Sequence, residues 1–469
     1  MKEDILLNSK NKERLIIVSN RVPYSFTRTK TGLHYKRSIG GLVTALDPIM
    51  NLKGGVWIGW SGLSKKAKYF EDNIKIKVGD SDNYQIKIVN LSESDINLFY
   101  HGFTNRTIWP LFHGFLFQSY FNYNYWLSYK TANKKYAKSV LEEAGDNDTV
   151  WIHDYHLMLV PKALRGKKPE LKIIFFLHIP FPNVEIFRSL PWHNEILEGL
   201  LGCDLIGFQT KSDANNFIIS CRKLLNLQID DENLTIKKDS RIINVKPFPI
   251  SIDYDGFQKI SKSSSTQKIV KRIRKSIEDK KIILSVERLD YTKGIKERLY
   301  AIERFFEKYP QHRKKVVFVQ ISVPSRTKIR EYITLKNETD ELVGRINGRF
   351  TEELWTPVIY LYQSFRHEKL AAYYAAADIC LITPLRDGMN LIAKEYVTAK
   401  SDMDGVVILS EFAGAAEEFS EHSIMVNPFD IESIADSIDM ALKIDPEEKK
   451  IRMKALRKIV KENDVFRWS

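Results

Sequence analysis

"ADICLITPLRDGMNLIAKEYVTA", residues 377–399, passes from an apolar run through a polar turn into a helical pattern. The run "ADICLIT" (377–383) reads as a strand covered on both faces, because it lacks the alternation of a half-exposed strand. The turn "PLRDGMN" (384–390) carries an arginine, an aspartate and a glycine, and "LIAKEYVTA" (391–399) has helical spacing. Strand, turn and helix in this order form the unit of a parallel sheet. In such sheets ligands bind beyond the carboxyl ends of the strands, which is where Arg386 and Asp387 stand.

The same unit recurs along the chain. Strands are expected at "RLIIVSN" (14–20), "TVWIHD" (149–154), "LKIIFFLH" (171–178) and "DLIGFQT" (204–210). A second set is expected at "KIILSVE" (281–287), "KKVVFVQIS" (314–322), "PVIYLYQ" (357–363) and "GVVILSE" (405–411). Helical stretches such as 129–145 and 293–309 lie between them. The chain has 469 residues, more than one core usually holds, since single cores rarely grow past roughly 250–300 residues. The expected fold is therefore α/β, with two doubly wound domains. The two prolines of "KPFPISIDYDGF" (246–257) mark a hinge, and the polar "SKSSSTQ" (261–267) reads as a surface segment after it. The domains expected are 1–247 and 248–469.

Composition narrows the function classes. A hydrophobic fraction of 43% and a charged fraction of 28% describe a globular protein. No run of about 18 apolar residues is present, so no membrane span is expected. The polar start, "MKEDILLNSKNKER", has no apolar core of a secretory signal. Cys203, Cys221 and Cys380 are far apart and lack metal spacing, as suits buried thiols in a reducing cytoplasm. The net charge of +13 admits nucleic-acid binding or a basic surface around an anionic substrate. The most basic cluster, "QKIVKRIRKS" (267–276), sets Ile269, Val270 and Ile273 on one helical face, which favours an amphipathic surface helix over a nucleic-acid site.

The strand ends carry the chemistry. In "SVERLDYTKG" (285–294), Arg288 closes a strand and Lys293 opens a helix, a spacing that could grip a diphosphate. Alone, Arg288 is as well explained by pairing with Glu287 or Asp290. In the 384–396 turn, Gly388 permits close backbone approach and Asn390 can cap the helix, leaving free N–H groups beside the turn. Asp387 could accept bonds from sugar hydroxyls and Glu395, too deep to cap, from a ribose. Each of these also has an ordinary reading as a turn aspartate or a solvated helix glutamate; the set is harder to explain so. "VSNRVP" (18–23) ends a strand with Arg21, and "RSIGGLVTAL" (37–46) sets Gly40 and Gly41 before a helix. Trp57, Trp60, Tyr100 and Trp109 are candidates for aromatic core. "WIHDYH" (151–156) presents Asp154, and "FFLHIPFPNVEIF" (175–187) presents His178 before a loop with two prolines.

Together "VSNR", "GWSG", "WIHDYHL", "FFLHIPFP", "SVERLDYTKG", "GRING" and "TPLRDGMNLIAKEY" resemble, in order, the trehalose-6-phosphate synthase family of retaining glycosyltransferases. The likeness runs from about residue 14 to about residue 465. It implies the GT-B fold, two Rossmann-like domains facing across a cleft, with an acceptor domain first and a nucleotide-sugar domain second. It implies glucosyl transfer from a nucleoside-diphosphate glucose to glucose 6-phosphate. In that family pattern Arg288 and Lys293 hold the diphosphate, with Gly40 and Gly41 lining it. Asp387 and His178 contact the donor glucose, Glu395 the ribose, and Leu391, Ile392 and Phe365 the diphosphate and base. Arg21, Trp60, Tyr100, Trp109, Asp154 and Arg326 form the acceptor site.

Arg288, Lys293, His178 and Asp387 are then the groups at the reaction centre. The resemblance implies no cofactor, no metal, no nucleic-acid or membrane partner, a cytoplasmic location, and is compatible with a homo-oligomer. The Asp-x-Asp matches at 80–82, 146–148 and 402–404 read as polar loops. The sequence "FHGF" (112–115) departs from the family near the acceptor. A sister enzyme with another acceptor, such as a glucosylglycerol-phosphate synthase, and a non-catalytic regulatory subunit remain as alternatives. The last helix, ending in "NDVFRWS" (463–469), is expected to reach back toward the first domain and to be shortened.

Overall fold

Runs buried along nearly their whole length form the central strands, and the segments between them form the helices. The computed structural model describes residues 13–29, 32–37, 40–64, 75–78, 83–278, 280–327 and 329–469. Packing divides the chain into two units, Met1–Phe248 and Pro249–Ser469.

In the first unit the strands are β1 (Leu15–Arg21), β2 (Tyr24–Thr29), β3 (Gly32–Arg37), β4 (Gly55–Trp60), β5 (Lys75–Val78) and β6 (Tyr84–Ile88). They continue with β7 (Thr149–His153), β8 (Lys172–Phe176), β9 (Leu205–Phe208), β10 (Gln228–Asp230), β11 (Thr235–Lys238) and β12 (Arg241–Pro247). β2 and β3 form a separate hairpin; the others make one sheet in the order β10-β11-β12-β9-β8-β7-β1-β4-β6-β5. Its middle, from β12 to β6, is parallel, and the two margins are antiparallel. The chain builds outward from β1 through β4 to β6, then restarts on the other side of β1 with β7. That reversal is a topological switch point, where two neighbouring connections diverge and open a crevice at the strand ends.

The second unit repeats the scheme. β13 (Lys281–Arg288), β14 (Val316–Val323), β15 (Val358–Tyr362), β16 (Ile379–Ile382), β17 (Val406–Ser410) and β18 (Ile424–Val426) form a wholly parallel sheet. Its order is β15-β14-β13-β16-β17-β18, so the switch point lies between β13 and β16. Ile282 to Val286 of β13 and all of β16 and β17 are buried, as a strand covered on both faces requires.

Three local features add to the expectations. Residues 261–267, expected as a surface segment, lie mostly at the surface and form a helix junction: the helix Tyr254–Lys262 ends there and Ser263 caps the helix Ser264–Ser276 by accepting from the Thr266 N–H. Serine hydroxyls serve caps as readily as loops, and the pattern alone did not separate the two. Residues Ile96–Ile108 wind as a π-helix, a wide form common near functional sites and without a sequence signature. The left-handed residue of the 384–390 turn is Asn390, with φ 85°; it still caps the helix Leu391–Ala399 by accepting from the Ala393 N–H at 3.3 Å.

The helix Pro446–Glu462 packs within its own unit on Leu391–Ala399 and Tyr254–Lys262. Its buried Arg457 donates to the Val397 and Thr398 carbonyls at 2.9 and 2.6 Å and to the Tyr254 hydroxyl at 2.8 Å. The three cysteines are buried and free. Among the described residues no helix is long and apolar enough to cross a membrane.

Candidate active site

At the second unit's switch point, β13 ends on Arg288, which is exposed. A turn follows in which the Asp290 carboxylate accepts from the Thr292 N–H at 3.1 Å, and Lys293 closes it. Across the switch point, β16 leads into residues 383–390. Their backbone is fixed on both sides: Leu385 donates to the Thr292 carbonyl at 2.8 Å, and Asp387 donates to the Phe412 carbonyl at 3.0 Å. The two turns meet where Lys293 Nζ lies 2.7 Å from Asp387 Oδ2. Asn390 also donates to that oxygen, at 3.1 Å. Gly294 has φ 63° and packs so close that a Cβ there would lie 2.2 Å from the Thr383 carbonyl oxygen. Only glycine combines that conformation with that approach.

One turn into the helix Leu391–Ala399, Glu395 accepts from the Tyr374 hydroxyl at 2.8 Å. Burial pushes its carboxyl up to about 7, against the pull of that hydrogen bond. Phe365 is buried, with the Lys369 ammonium 4.2 Å from its ring centroid. Leu391 and Ile392 are the first helical residues after the Asn390 cap, so their N–H groups have no partner within the helix. Arg326 is held at 2.7 Å from Asp290 Oδ2, beneath the Arg288–Lys293 turn, with the Tyr332 hydroxyl at 2.8 Å from the same oxygen. Burial alone would raise the Asp290 carboxyl, but the charges of Arg326, Arg288 and Lys293 hold it at about 2.

In the first unit, the register between β1 and β4 shifts between Val18 and Arg21, bringing Arg21 opposite Trp60. The Arg21 guanidinium sits 5.3 Å from the Trp60 ring centroid. It also lies over Gly62, whose absent Cβ would fall 1.9 Å from it. Trp60 meets Tyr100 edge-on at 5.5 Å, and Tyr100 stacks on His156 at 6.1 Å. On the other side of the switch point, Asp154 follows β7 with φ 78°, a strained conformation for a residue with a Cβ. Its N–H donates to the Phe176 carbonyl at 2.7 Å and its Oδ1 accepts from the His178 N–H at 3.4 Å. His178 Nε2 lies 3.1 Å from Nδ1 of buried His153. Burial lowers His178 to about 3 and His153 well below its ordinary value, so both rings are neutral.

Trp109 is buried, 4.2 Å from the His113 ring and 5.8 Å from Tyr155. Trp57, by contrast, is core: it is fully buried and its indole N–H donates to Ser19 Oγ at 2.7 Å. Gly40 begins the helix Gly41–Lys53 in extended backbone, its carbonyl accepting from the Thr44 N–H at 2.9 Å.

The sequence model described as Glycosyltransferase family 20 matches residues 13–469. The chain belongs to glycosyltransferase family 20. A trehalose-6-phosphate synthase of Mycobacterium sp. (strain KMS) is 41% identical over 463 residues, covering 97% of this chain and 93% of that one. A solved alpha,alpha-trehalose-phosphate synthase (UDP-forming) of Burkholderia xenovorans, in complex with glucose-6-phosphate, is 34% identical. It superposes with a TM-score of 0.88 over 97% of this chain and 98% of that one. An E. coli family member bound with UDP-2-fluoro glucose is 35% identical, with a TM-score of 0.88 over 97% of both chains. The architecture is that of the GT-B glycosyltransferases: two Rossmann-like α/β units, each with a parallel sheet.

Within each unit of this family 20 chain, the structure gathers most of the residues singled out from sequence. Lys293, Asp387 and Asn390 touch; Arg21, Trp60 and Tyr100 touch; Asp154 and His178 touch. Arg326 is drawn to Asp290 rather than standing open, because a buried carboxylate needs a cation. Three supporting residues escaped the sequence reading: Tyr374, His153 and His156. Each acts through a neighbour from another strand or helix, and no spacing along the chain reveals that. Among the described residues no group of three or more His, Cys, Asp or Glu could hold a metal ion. Of the Asp-x-Asp matches, 80–82 lies outside the described residues. Asp148 pairs with Arg14, Asp402 with Lys400, and Asp404 with Lys449.

Proposed function

We infer that the chain transfers glucose from UDP-glucose to glucose 6-phosphate with retention, giving α,α-trehalose 6-phosphate and UDP. The observation that carries this reading is the Lys293–Asp387 pair at a switch point, with Arg288 at the neighbouring strand end. Cation and carboxylate side by side suit a ligand that is phosphate at one end and sugar at the other. Family membership and the names of the relatives supply the substrates.

In this reading Arg288 and Lys293 bind the diphosphate, helped by the Leu391 and Ile392 N–H groups and by Gly40 and Gly41. Asp387 and His178 hold the glucose, Glu395 the ribose, and the Phe365 segment the base. Arg21 and Arg326 receive the acceptor phosphate, while Trp60, Tyr100, Trp109 and Asp154 shape the acceptor pocket. The bond from glucose C1 to the diphosphate oxygen breaks, and the acceptor's anomeric oxygen bonds to C1 on the same face. The acceptor's hydroxyl proton passes to the departing phosphate oxygen. The protein's share is to position both sugars and to stabilise negative charge on the leaving group, the latter worth about 10²–10³ in rate per contact. Neutral His178 can exchange a hydrogen bond with a sugar hydroxyl without adding charge near C1. The reading also implies a cytoplasmic enzyme.

The test is product analysis with purified protein, several nucleoside-diphosphate glucoses and several phosphorylated acceptors. Trehalose 6-phosphate and UDP are expected. Turnover of glycerol 3-phosphate without turnover of glucose 6-phosphate would reassign the acceptor; no turnover of any pair would overturn the reading.

A further inference from the structure

We propose that Arg298 is the positioning residue of the donor half-site: one buried guanidinium ties the turn that presents Lys293 to the turn that presents Asp387. This rests on the functional reading above.

Arg298 lies in the helix Ile295–Lys308 and is fully buried. A charge taken wholly out of water needs a counter-charge and a full set of acceptors. Glu287, near the end of β13, is the counter-charge and bonds Nη1 directly. Gln320 of β14 accepts from Nη1 at 3.1 Å and itself donates to Glu287 at 2.5 Å. These contacts neutralise and seat the guanidinium.

Its remaining bonds go to the two turns. Nη2 donates to the Lys293 carbonyl at 2.9 Å. Nε donates to the Thr383 hydroxyl at 3.0 Å, and Thr383 is the first residue after β16. The brace therefore spans the switch point between β13 and β16. Gly294, beside Lys293, allows the two turns the close approach that the brace needs. The planar fork of arginine reaches two strands and two turns at fixed angles. Lysine, a single point donor on a flexible stem, cannot reproduce it. Displacement of a positioned group by about 1 Å can cost on the order of 10²-fold in rate.

The test is UDP binding by calorimetry to the purified chain and to Arg298→Lys and Thr383→Val. Thr383→Val is the mild variant: it removes the hydroxyl that accepts from Nε and leaves the Arg298–Glu287 pair in place. Each change is also made in a Lys293→Ala background. Expected are a tenfold or greater loss of UDP affinity in Arg298→Lys and a threefold or greater loss in Thr383→Val. In the Lys293→Ala background both losses should shrink to less than twofold, because the brace acts through that residue. Losses that persist there at full size indicate a general structural role and overturn the proposal. UDP affinity within twofold of the parent in Thr383→Val also overturns it, even should Arg298→Lys fail to fold. If the parent chain itself does not bind UDP, the functional reading has failed rather than the brace.

Discussion

The Lys293 ammonium and the Asp387 carboxylate are 2.7 Å apart, both largely shielded from solvent, with Asn390 donating to the same carboxylate oxygen at 3.1 Å. The three side chains thus satisfy one another. On the proposed function, a diphosphate arriving at the switch point would take over the cation, and a sugar hydroxyl the carboxylate. Losing the cation is expected to cost more than one binding contact, since it also removes the ion-pair partner that Lys293 gives Asp387. Lys293→Ala and Arg288→Ala should each lower kcat/KM by about 10²–10³, equivalent to about 2.7–4 kcal/mol. Steady-state rates on variants with unchanged circular dichroism decide it; near-parental rates would falsify the assignment.

If Glu395 holds the ribose as proposed, donor binding should depend on pH. Its carboxyl titrates near 7 in the folded chain and near 4.5 when unfolded. The folded state therefore holds the extra proton between those values, and stability falls as pH rises through that window, by at most about 3 kcal/mol. A ribose needs the ionised form as acceptor, so KM for the donor should fall as pH rises through 7. Glu395→Gln should flatten that profile and gain stability relative to the parent at pH 8. An unchanged pH profile in the variant removes Glu395 from the donor site.

His178 should stay neutral across the working range. Burial lowers it to about 3, and an unfolded histidine titrates near 6.5. The unfolded chain binds the proton first, so this group costs stability as pH falls below 6.5. Nitrogen-15 spectra of labelled histidine should show no His178 titration between pH 5 and 8. A midpoint near 6.5 there would mean that the ring is open to water and not held against His153.

Arg326 and Asp290 form a buried pair that cannot be broken from one side cheaply. Asp290→Asn should lower unfolding stability by about 3–5 kcal/mol, read by urea denaturation, because it strands the guanidinium. Arg326→Lys tests the acceptor role: KM for glucose 6-phosphate should rise while KM for the donor stays within twofold. A rise in both would make Arg326 a brace for the Arg288–Lys293 turn alone.

The apolar strands such as 281–287 and 405–411 carried the fold in their composition. A run with no polar face must be covered on both sides, and helices between such runs leave few arrangements but a parallel sheet. Residues of the turns were legible for a related reason: Arg288, Lys293, Asp387 and Glu395 stand where strands end, and chemistry in these sheets collects there. Strand order was not legible. The reversal between β13 and β16, and between β1 and β7, depends on which strands pair, and pairing is a contest among distant segments. The same holds for Arg298, Tyr374 and His153, whose partners lie elsewhere in the chain and whose meaning comes from burial.

Sequence by itself determined the covered strands, the turns that interrupt them and the charges set in those turns, because these follow from local polarity and backbone limits. Tertiary structure alone decided that Lys293 meets Asp387, that Arg326 is spent on Asp290, and that a buried arginine braces two turns. Those outcomes come from removing charged groups from water, which makes each one seek whatever partner the fold brings within reach.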